Sequence, residues 1–140
     1  MENKNIIITG TSRGIGFELA LQFADAGHQV LAISRKMPKS LMEHSNITCL
    51  SIDISDENEM EQVEKFVKDS WSNKVDVLIN NAGLLVNKPF EQLTTSDFEK
   101  VYRVNVFAVA ELTRICIPFM KKGSHVVTVS SMGGVQGSMK

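Results

Sequence analysis

The sequence predicts an α/β fold of the doubly wound class, in which helices pack on both faces of a parallel sheet. Short apolar runs alternate with segments of helical periodicity along the 140 residues. No internal repeat, low-complexity tract or interdomain linker interrupts this alternation. Strands that are separated by helices join into a parallel sheet through right-handed crossovers. We therefore expect a single domain over residues 1–140.

Five runs predict the strands of this sheet. The first contains three consecutive isoleucines, as in a strand that is buried on both faces, and it stops at Gly10. The other runs combine β-branched and aliphatic residues, which suit a pleated and buried surface. The predicted strands are residues 5–9, 29–33, 47–52, 75–79 and 126–129.

Helical periodicity predicts the first two main helices and marks where they start or stop. After Ile15, apolar residues recur at helical spacing until Gly27, and glycine is favoured just after the C-terminus of a helix. Asp56 opens the next helix, and acidic residues follow it in the first turn. The weak pattern of residues 40–43 predicts a shorter helix between these two.

A long helix is predicted over residues 95–120. Thr94 and Asp97 have the spacing of a helix cap, and Pro118 should kink or end the helix. Apolar residues cover most of the helix circumference, which indicates burial on more than one side. This helix is either well covered within one chain or contacts a second subunit, and on the latter interpretation we expect a homo-oligomer.

The bulk composition limits the classes of function that the chain can serve. Apolar residues make up 43% and charged residues 22% of the sequence, which is typical of soluble globular proteins. A net charge of −1 favours neither nucleic acid nor anionic lipid as a partner. We see no signal-peptide pattern, and no apolar stretch approaches the ~18 residues of a membrane span. We expect a cytoplasmic protein.

The spacing of cysteine and histidine residues predicts no metal site. Cys49 and Cys116 are far apart and lie in apolar stretches, which is typical of reduced core thiols, with a disulfide or a metal pair as the alternative. His28, His44 and His125 share no metal-ligand spacing.

Three glycines, Gly10, Gly14 and Gly16, separate the first strand from the first helix. Glycine permits a tight turn, lets the backbone approach a pyrophosphate, and leaves the helix N-terminus free to donate N–H groups to anionic oxygens. Glycines in such turns also serve purely structural roles. Their position between a buried strand and an amphipathic helix favours a nucleotide-phosphate site.

The residues after the second strand predict which dinucleotide binds. A fold that prefers NAD places a carboxylate there to bind the ribose 2′-hydroxyl. This chain has Ser34, Arg35 and Lys36 instead, and Arg13 of the glycine turn can reach the same region. Charge-assisted bonds to a 2′-phosphate are worth about 1.5–3 kcal/mol each. The pattern favours NADP(H) over NAD(H); the alternative is an ordinary solvated Arg-Lys pair.

Three later motifs complete an ordered series. Asn-Asn-Ala-Gly at residues 80–83 ends the fourth strand, Asn105 interrupts an apolar part of the long helix, and Ser131 follows the fifth strand. With the Thr-Gly-x-x-x-Gly-Ile-Gly turn at residues 9–16, these motifs make the chain resemble the short-chain dehydrogenase/reductase family. The resemblance spans the whole chain and implies a Rossmann-like sheet that binds a nicotinamide cofactor.

The resemblance implies roles for individual residues. Asp53 would contact the adenine ring through its side chain, and Ile54 would do so through its backbone. Asn105 would hold a water molecule of a proton relay, and Ser131 would bind the carbonyl or hydroxyl of the substrate. The implied cofactor-binding residues are Gly10, Ser12, Arg13, Gly14, Ile15, Gly16, Ser34, Arg35, Asp53, Ile54, Asn80, Ala82, Gly83 and Val104.

These residues also have structural alternatives. Asp53 could cap the loop that precedes Asp56, and the Asn105 amide could hydrogen-bond a local carbonyl. Ser131 and residues 80–83 would ordinarily indicate turns.

The chain departs from the family in one respect. Relatives carry a Tyr-x-x-x-Lys motif after the active Ser, whereas the one tyrosine here, Tyr102, precedes Asn105. We expect an incomplete domain without the C-terminal strands, so that the fifth strand is an unpaired edge. The resemblance implies an NADP(H)-dependent oxidoreductase for a carbonyl or secondary alcohol, truncated to its cofactor-binding portion and inactive alone. A non-catalytic NADP(H)-binding protein and a module completed by a partner chain are the alternatives.

Overall fold

One parallel sheet organises the chain in the computed structural model, which describes residues 2–133. Within this range five strands pair in the order β3-β2-β1-β4-β5, and all neighbouring pairs are parallel. The strands are β1 (Asn5–Thr9), β2 (Gln29–Ser34), β3 (Ile47–Ser51), β4 (Val77–Asn80) and β5 (His125–Thr128). The doubly wound class is confirmed, and each strand lies within two residues of its predicted bounds.

Five α-helices connect or flank these strands in the described range. They are α1 (Gly14–Asp25), α2 (Lys39–Met42), α3 (Glu57–Ser70), α4 (Thr95–Tyr102) and α5 (Ala108–Cys116). Gly27 follows α1 with φ at +88°, as predicted for a helix stop. Asp56 caps α3, because its side chain accepts the N–H of Asn58.

The core lies on both faces of the sheet, because successive residues of a buried strand point in opposite directions. Ile7 of β1 packs in a cluster with side chains of α3 and α5, whereas Ile6 and Ile8 pack in a second cluster with α1 and Leu41. All three isoleucines are at most 1% exposed. Burial on both faces explains why β1 reads as a continuous apolar run rather than an alternating one.

The long helix differs from the prediction of one element over residues 95–120. A π-helical segment, Arg103–Phe107, joins α4 to α5, and the helix tightens to a 3₁₀ turn at Ile117–Phe119. Pro118 lies in that last turn, so it ends the helix rather than kinking it. The π-helical segment was not predicted, because apolar residues occupy nearly every side of the helix here and the periodicity does not register an inserted residue.

β5 is the edge strand of the described sheet, as the sequence predicts. Among residues 2–133 it pairs with β4 alone. Val126 and Val127 are 44% and 45% exposed, although neighbouring strand residues face opposite sides of a sheet. Both faces of β5 are therefore accessible within the described range.

A capping box opens α4. The Thr94 hydroxyl accepts the N–H of Asp97, and the Asp97 carboxylate accepts the N–H of Thr94. Lys88 Nζ lies 2.9 Å from Asp97 Oδ2, so an ion pair ties the segment before the helix to its first turn. The hydrogen bond from Lys88, then those from Thr94, lower the pKa of Asp97 to about 2.

This depressed pKa predicts an acid-dependent loss of stability. The folded pKa of Asp97 lies below the unfolded value of about 3.9, so its contribution is complete above roughly pH 4 and disappears as the pH falls toward 2. Urea unfolding should show Asp97→Asn to be less stable than the parent at pH 6, with a gap that narrows below pH 4. Glu91→Gln, which changes an exposed carboxylate nearby, is the control. A gap that stays constant from pH 6 to pH 3 would contradict this account.

Candidate nucleotide site at the carboxyl edge of the sheet

The site lies where the strand order of the sheet reverses. β1 and β4 are neighbours at its centre; the chain proceeds from β1 to β2 and β3 on one side, and to β5 beyond β4 on the other. In open α/β sheets, ligands bind in the crevice outside the carboxyl ends of the strands at such a reversal. The glycine turn follows β1, and the motif of residues 80–83 begins at the last residue of β4, so two motifs that are far apart in sequence meet here.

Hydrogen bonds join the ends of these two strands. The Thr9 hydroxyl accepts the N–H groups of Asn81 and Ala82, at 3.1 and 3.0 Å. In return, the Asn81 amide donates to the carbonyl oxygens of Thr9 and Gly10, at 3.0 and 3.2 Å. Thr9 itself is 1% exposed. Buried backbone groups that lie past the end of the ladder are thereby satisfied.

Close packing of the glycine turn depends on the absence of side chains at Gly10 and Gly16. A Cβ on Gly10 would lie 2.8 Å from the Ala82 Cα, closer than real Cβ atoms approach. A Cβ on Gly16 would overlap the Asn81 side-chain nitrogen and the Gly10 carbonyl oxygen. These two glycines therefore let the turn and the start of α1 lie directly against the end of β4.

The N-terminus of α1 is suited to bind an anion. Arg13 occupies the N-cap in extended conformation, and no side chain in the described range caps this helix. Gly14 has φ at +62°, and a Cβ there would meet only open space. Ser12, Arg13 and Ile15 are exposed. The uncapped N–H groups and the helix dipole of this twelve-residue helix favour a phosphate, so these residues fit a dinucleotide.

The end of β2 carries the cations that the sequence singled out. Ser34 is 9% exposed, and its hydroxyl donates to the Lys36 carbonyl at 2.8 Å, so it shapes the turn that presents Arg35. The Arg35 side chain is 76% exposed, and its Nη1 lies 4.0 Å from Asp53 Oδ2. The sequence did not predict this proximity between Arg35, after β2, and Asp53, after β3.

Asp53 forms a compact turn after β3. Its Oδ1 accepts the N–H of Ser55 at 2.9 Å and the hydroxyl of Ser55 at 2.7 Å. Its carbonyl accepts the N–H of Asp56, so the predicted loop-capping alternative is observed. Partial burial raises the pKa of Asp53, but the two bonds from Ser55 and the nearby Arg35 outweigh it and hold the pKa below its ordinary value. Ile54 is 9% exposed and packs in the core, so its side chain faces away from solvent.

The residues at the end of β4 and directly after it divide between buried and exposed positions. The Asn80 side chain is turned away toward α5, where its amide donates to the Thr113 hydroxyl at 3.3 Å, and the residue is 3% exposed. Ala82 packs partly against the core, and Gly83 is exposed. Val104, on the π-helical segment, also packs against the core.

Asn105 lies in the π-helical segment and is paired with the backbone of Leu84. Its Nδ2 donates to the Leu84 carbonyl at 2.9 Å, and its Oδ1 accepts the Leu84 N–H at 2.8 Å. The local carbonyl that the alternative for Asn105 expected is not its partner, because Leu84 lies 21 positions earlier in the chain, directly after residues 80–83. π-Helical turns often occur at functional sites, where they redirect a side chain.

Ser131 is exposed near the end of the described range. Its hydroxyl accepts the N–H of Gly133 at 3.1 Å, as in a turn. This was the structural alternative for Ser131.

Three residues organise the site, and the roles of Thr9 and Arg103 were not predicted from the sequence. Thr9 and Asn81 join the strands, and Arg103 donates to the Ser55 carbonyl from Nε, at 3.0 Å, and to Glu57 from Nη2, at 2.9 Å. A hydroxyl at the last position of an otherwise apolar strand was the available signal for Thr9. Arg103 has no sequence signal, because its partners lie more than forty positions earlier and belong to no motif.

The described part of the chain also bears on metal binding and on membrane insertion. No group of three or more His, Cys, Asp or Glu side chains has a metal-binding arrangement between residues 2 and 133. In the same range, each helix is too short or too polar to cross a membrane.

Comparison with known proteins identifies the family. The model of the short chain dehydrogenase family matches residues 4–140. The chain therefore belongs to the short-chain dehydrogenases, a family of oxidoreductases, as the ordered motifs predicted.

Individual relatives resemble the chain over about half of their own length. A probable short-chain type dehydrogenase/reductase, VdlC of Helicobacter pylori, is 34% identical over 131 residues, which cover 91% of this chain and 48% of that protein.

Solved structures share the fold. A short chain dehydrogenase from Leptospira borgpetersenii with bound NAD⁺ has a TM-score of 0.89 at 24% identity, covering 99% of this chain and 56% of its own. L-sorbose reductase from Gluconobacter frateurii, complexed with NADPH and L-sorbose, has a TM-score of 0.87 at 23% identity with the same coverage. One of these two structures therefore holds NAD⁺ and the other holds NADPH.

The junction between β1 and β4 predicts a specific stability effect. Thr9→Val removes the acceptor for two partly buried N–H groups, which should lower the free energy of unfolding by about 1–3 kcal/mol. Thr48→Val, at an exposed position of β3, makes the same chemical change without losing these partners and should have little effect. Urea unfolding of both variants at pH 7 measures the difference. Equal stabilities for the two variants would show that the Thr9 hydroxyl is not required.

Proposed function

We propose that the chain is the cofactor-binding portion of an NADP(H)-dependent oxidoreductase that acts on a carbonyl or a secondary alcohol. The observation that carries the proposal is the glycine turn, which packs against the end of β4 and opens an uncapped helix at the crevice. A bound nicotinamide would supply the hydride donor or acceptor. The small-molecule substrate would bind beside it.

In this proposal, each element of the crevice would contact a distinct part of the dinucleotide. The pyrophosphate would accept hydrogen bonds from backbone N–H groups near Gly14 and Ile15, at the positive end of α1. The adenine would lie beside Asp53 and the backbone of Ile54. The nicotinamide ribose would lie along residues 80–83 and the neighbouring Val104, where small residues leave room beside the backbone.

Preference for NADP(H) would depend on the cations at the end of β2. Arg35 is exposed, and the last position of β2 holds Ser34 rather than an acidic residue. Asp53 is the one acid in contact with Arg35 in the described range, and its lowered pKa keeps it ionised at neutral pH. A 2′-phosphate would gain a partner in Arg35, with Arg13 as a second cation on the exposed glycine turn.

Catalytic roles are proposed for Asn105 and Ser131. Asn105 would support a proton relay, and its pairing with Leu84 would hold it in place for that task. The Ser131 hydroxyl, which is exposed, would hydrogen-bond the substrate oxygen. The acid–base Tyr-x-x-x-Lys is absent from the 140 residues, so this chain alone would bind the cofactor without turnover.

One observation favours a second candidate, a module completed by a partner chain. β5 exposes both faces and pairs with β4 alone among the described strands. A bare parallel edge with uncovered apolar faces favours association. Cofactor binding without catalysis, as in a sensor, is compatible with the same site.

An oligomeric state and a cellular location are also proposed for the protein. The outer face of α4, the π-helical segment and the end of the long helix exposes apolar side chains, which would pack in a homo-oligomer. They are Phe98, Tyr102, Val106, Phe107 and Ile117.

A cytoplasmic location would suit the free thiols of Cys49 and Cys116.

Calorimetry tests the proposed cofactor preference. The chain should bind NADPH at least about tenfold more tightly than NADH, because one charge-assisted bond to the 2′-phosphate is worth roughly 1.5–3 kcal/mol. Arg35→Ala should remove most of this preference and leave NADH affinity within about twofold. Arg114→Ala, on an exposed arginine paired with Glu111, is the matched control. Equal affinity of the parent for both cofactors would overturn the preference.

Turnover measurements test the proposed inactivity. The purified 140-residue chain, verified by mass, should show no oxidation of NADPH with carbonyl substrates above the rate in buffer, because it lacks the acid–base Tyr. Robust activity would refute the proposal that turnover requires an acid–base Tyr that these 140 residues lack.

A further inference from the structure

Arg103 connects two parts of the site that the motifs describe separately. It is the first residue of the π-helical segment, and its side chain is 43% exposed. Nε donates to the Ser55 carbonyl at 3.0 Å, and Nη2 donates to Glu57 Oε1 at 2.9 Å. One guanidinium therefore holds both the loop after β3 and the first residue of α3.

The loop that Arg103 contacts is the one that forms the proposed adenine side of the site. Ser55 donates its N–H and its hydroxyl to the Asp53 carboxylate, whose other oxygen lies near Arg35. The carbonyl of Ser55 is the atom that accepts from Arg103. Ser55 therefore contacts both Asp53 and Arg103.

The segment that Arg103 begins carries the proposed catalytic side. Asn105 lies two residues further on and is bonded in both directions to Leu84, directly after Gly83. A π-helical turn has one residue more than the regular helix, and a contact from outside the helix can stabilise it. Arg103 supplies such a contact at the start of the turn.

We infer that Arg103 is a positioning residue, which sets the pairing of Asn105 with Leu84 according to the position of the loop from Asp53 to Ser55. This inference rests on the proposed function for its meaning in catalysis. The structural part of the inference does not depend on that function: it is that the Arg103 guanidinium holds the adenine-side loop and the Leu84 backbone in one arrangement. An isolated exposed ion pair with Glu57 would contribute little, so the bond to the Ser55 carbonyl is the decisive contact.

The side-chain chemistry provides a graded set of variants. Arg103→Met keeps much of the aliphatic packing and removes both donors. Arg103→Lys keeps the charge but replaces the planar fork with one nitrogen, so it should restore the contact only in part. Arg114→Met is the matched control, because Arg114 is an exposed arginine of α5 that pairs within its own helix.

Hydrogen exchange of single amides, measured by NMR on the full chain, tests the inference. The Leu84 amide, which donates to Asn105, should exchange about three- to tenfold faster in Arg103→Met, because local opening becomes easier there. Arg103→Lys should lie between this variant and the parent, and Arg114→Met should match the parent. The Ile7 amide, in the central strand, reports global stability, and its exchange should not accelerate by the same factor as that of Leu84. An unchanged Leu84 rate, or equal acceleration of Leu84 and Ile7, would overturn the inference.

Adenosine 2′,5′-bisphosphate probes the same link from the adenine side. It lacks the nicotinamide, yet it should slow exchange at both Ser55 and Leu84 in the parent chain. In Arg103→Met it should slow Ser55 alone. Slowing of Leu84 to the same extent in both proteins would overturn the inference. Failure of this ligand to bind the parent would refute the proposed function, whereas faster Leu84 exchange in ligand-free Arg103→Met would still support the positioning contact.

Discussion

The junction between the ends of β1 and β4 is the constraint on which the site depends. One threonine hydroxyl accepts two backbone N–H groups from the neighbouring strand, and one asparagine amide donates to two carbonyls in return. The packing is so close that Gly10 and Gly16 have no space for a Cβ. Because the turn is held there, α1 begins at the crevice and directs its N-terminus toward the place where an anion would bind.

The site contains a carboxylate beside its arginine side chains, so its charge is not only positive. Asp53 accepts two hydrogen bonds from Ser55 and lies near Arg35, and the Ser55 carbonyl accepts a hydrogen bond from Arg103. The carboxylate thus stabilises a loop and also offsets part of the positive charge of Arg35. Structural and binding roles for Asp53 are compatible, since one oxygen serves the turn and the other lies near the exposed guanidinium.

Apolar periodicity and the residues that start or stop helices predicted most of the fold, because both depend on local chemistry. Gly27 ends α1 through a left-handed conformation that glycine adopts readily, and Thr94 with Asp97 caps α4 through atoms three residues apart. The π-helical segment escaped prediction, since an inserted residue leaves no gap in a helix that is apolar nearly all round. The glycine turn and residues 80–83 were recognised as separate motifs, and the strand order then placed them side by side.

The sequence by itself determined the fold class and the family, because apolar spacing, glycines and short motifs act over a few positions. Only the tertiary structure decided which polar groups contact one another. Arg35 with Asp53, Thr9 with Asn81, and Arg103 with Ser55 are pairs brought together by strand order across 18 to 72 positions. The spacing of two polar residues in a chain does not encode such contacts, since the same residues would lie apart in any other arrangement of these strands and helices.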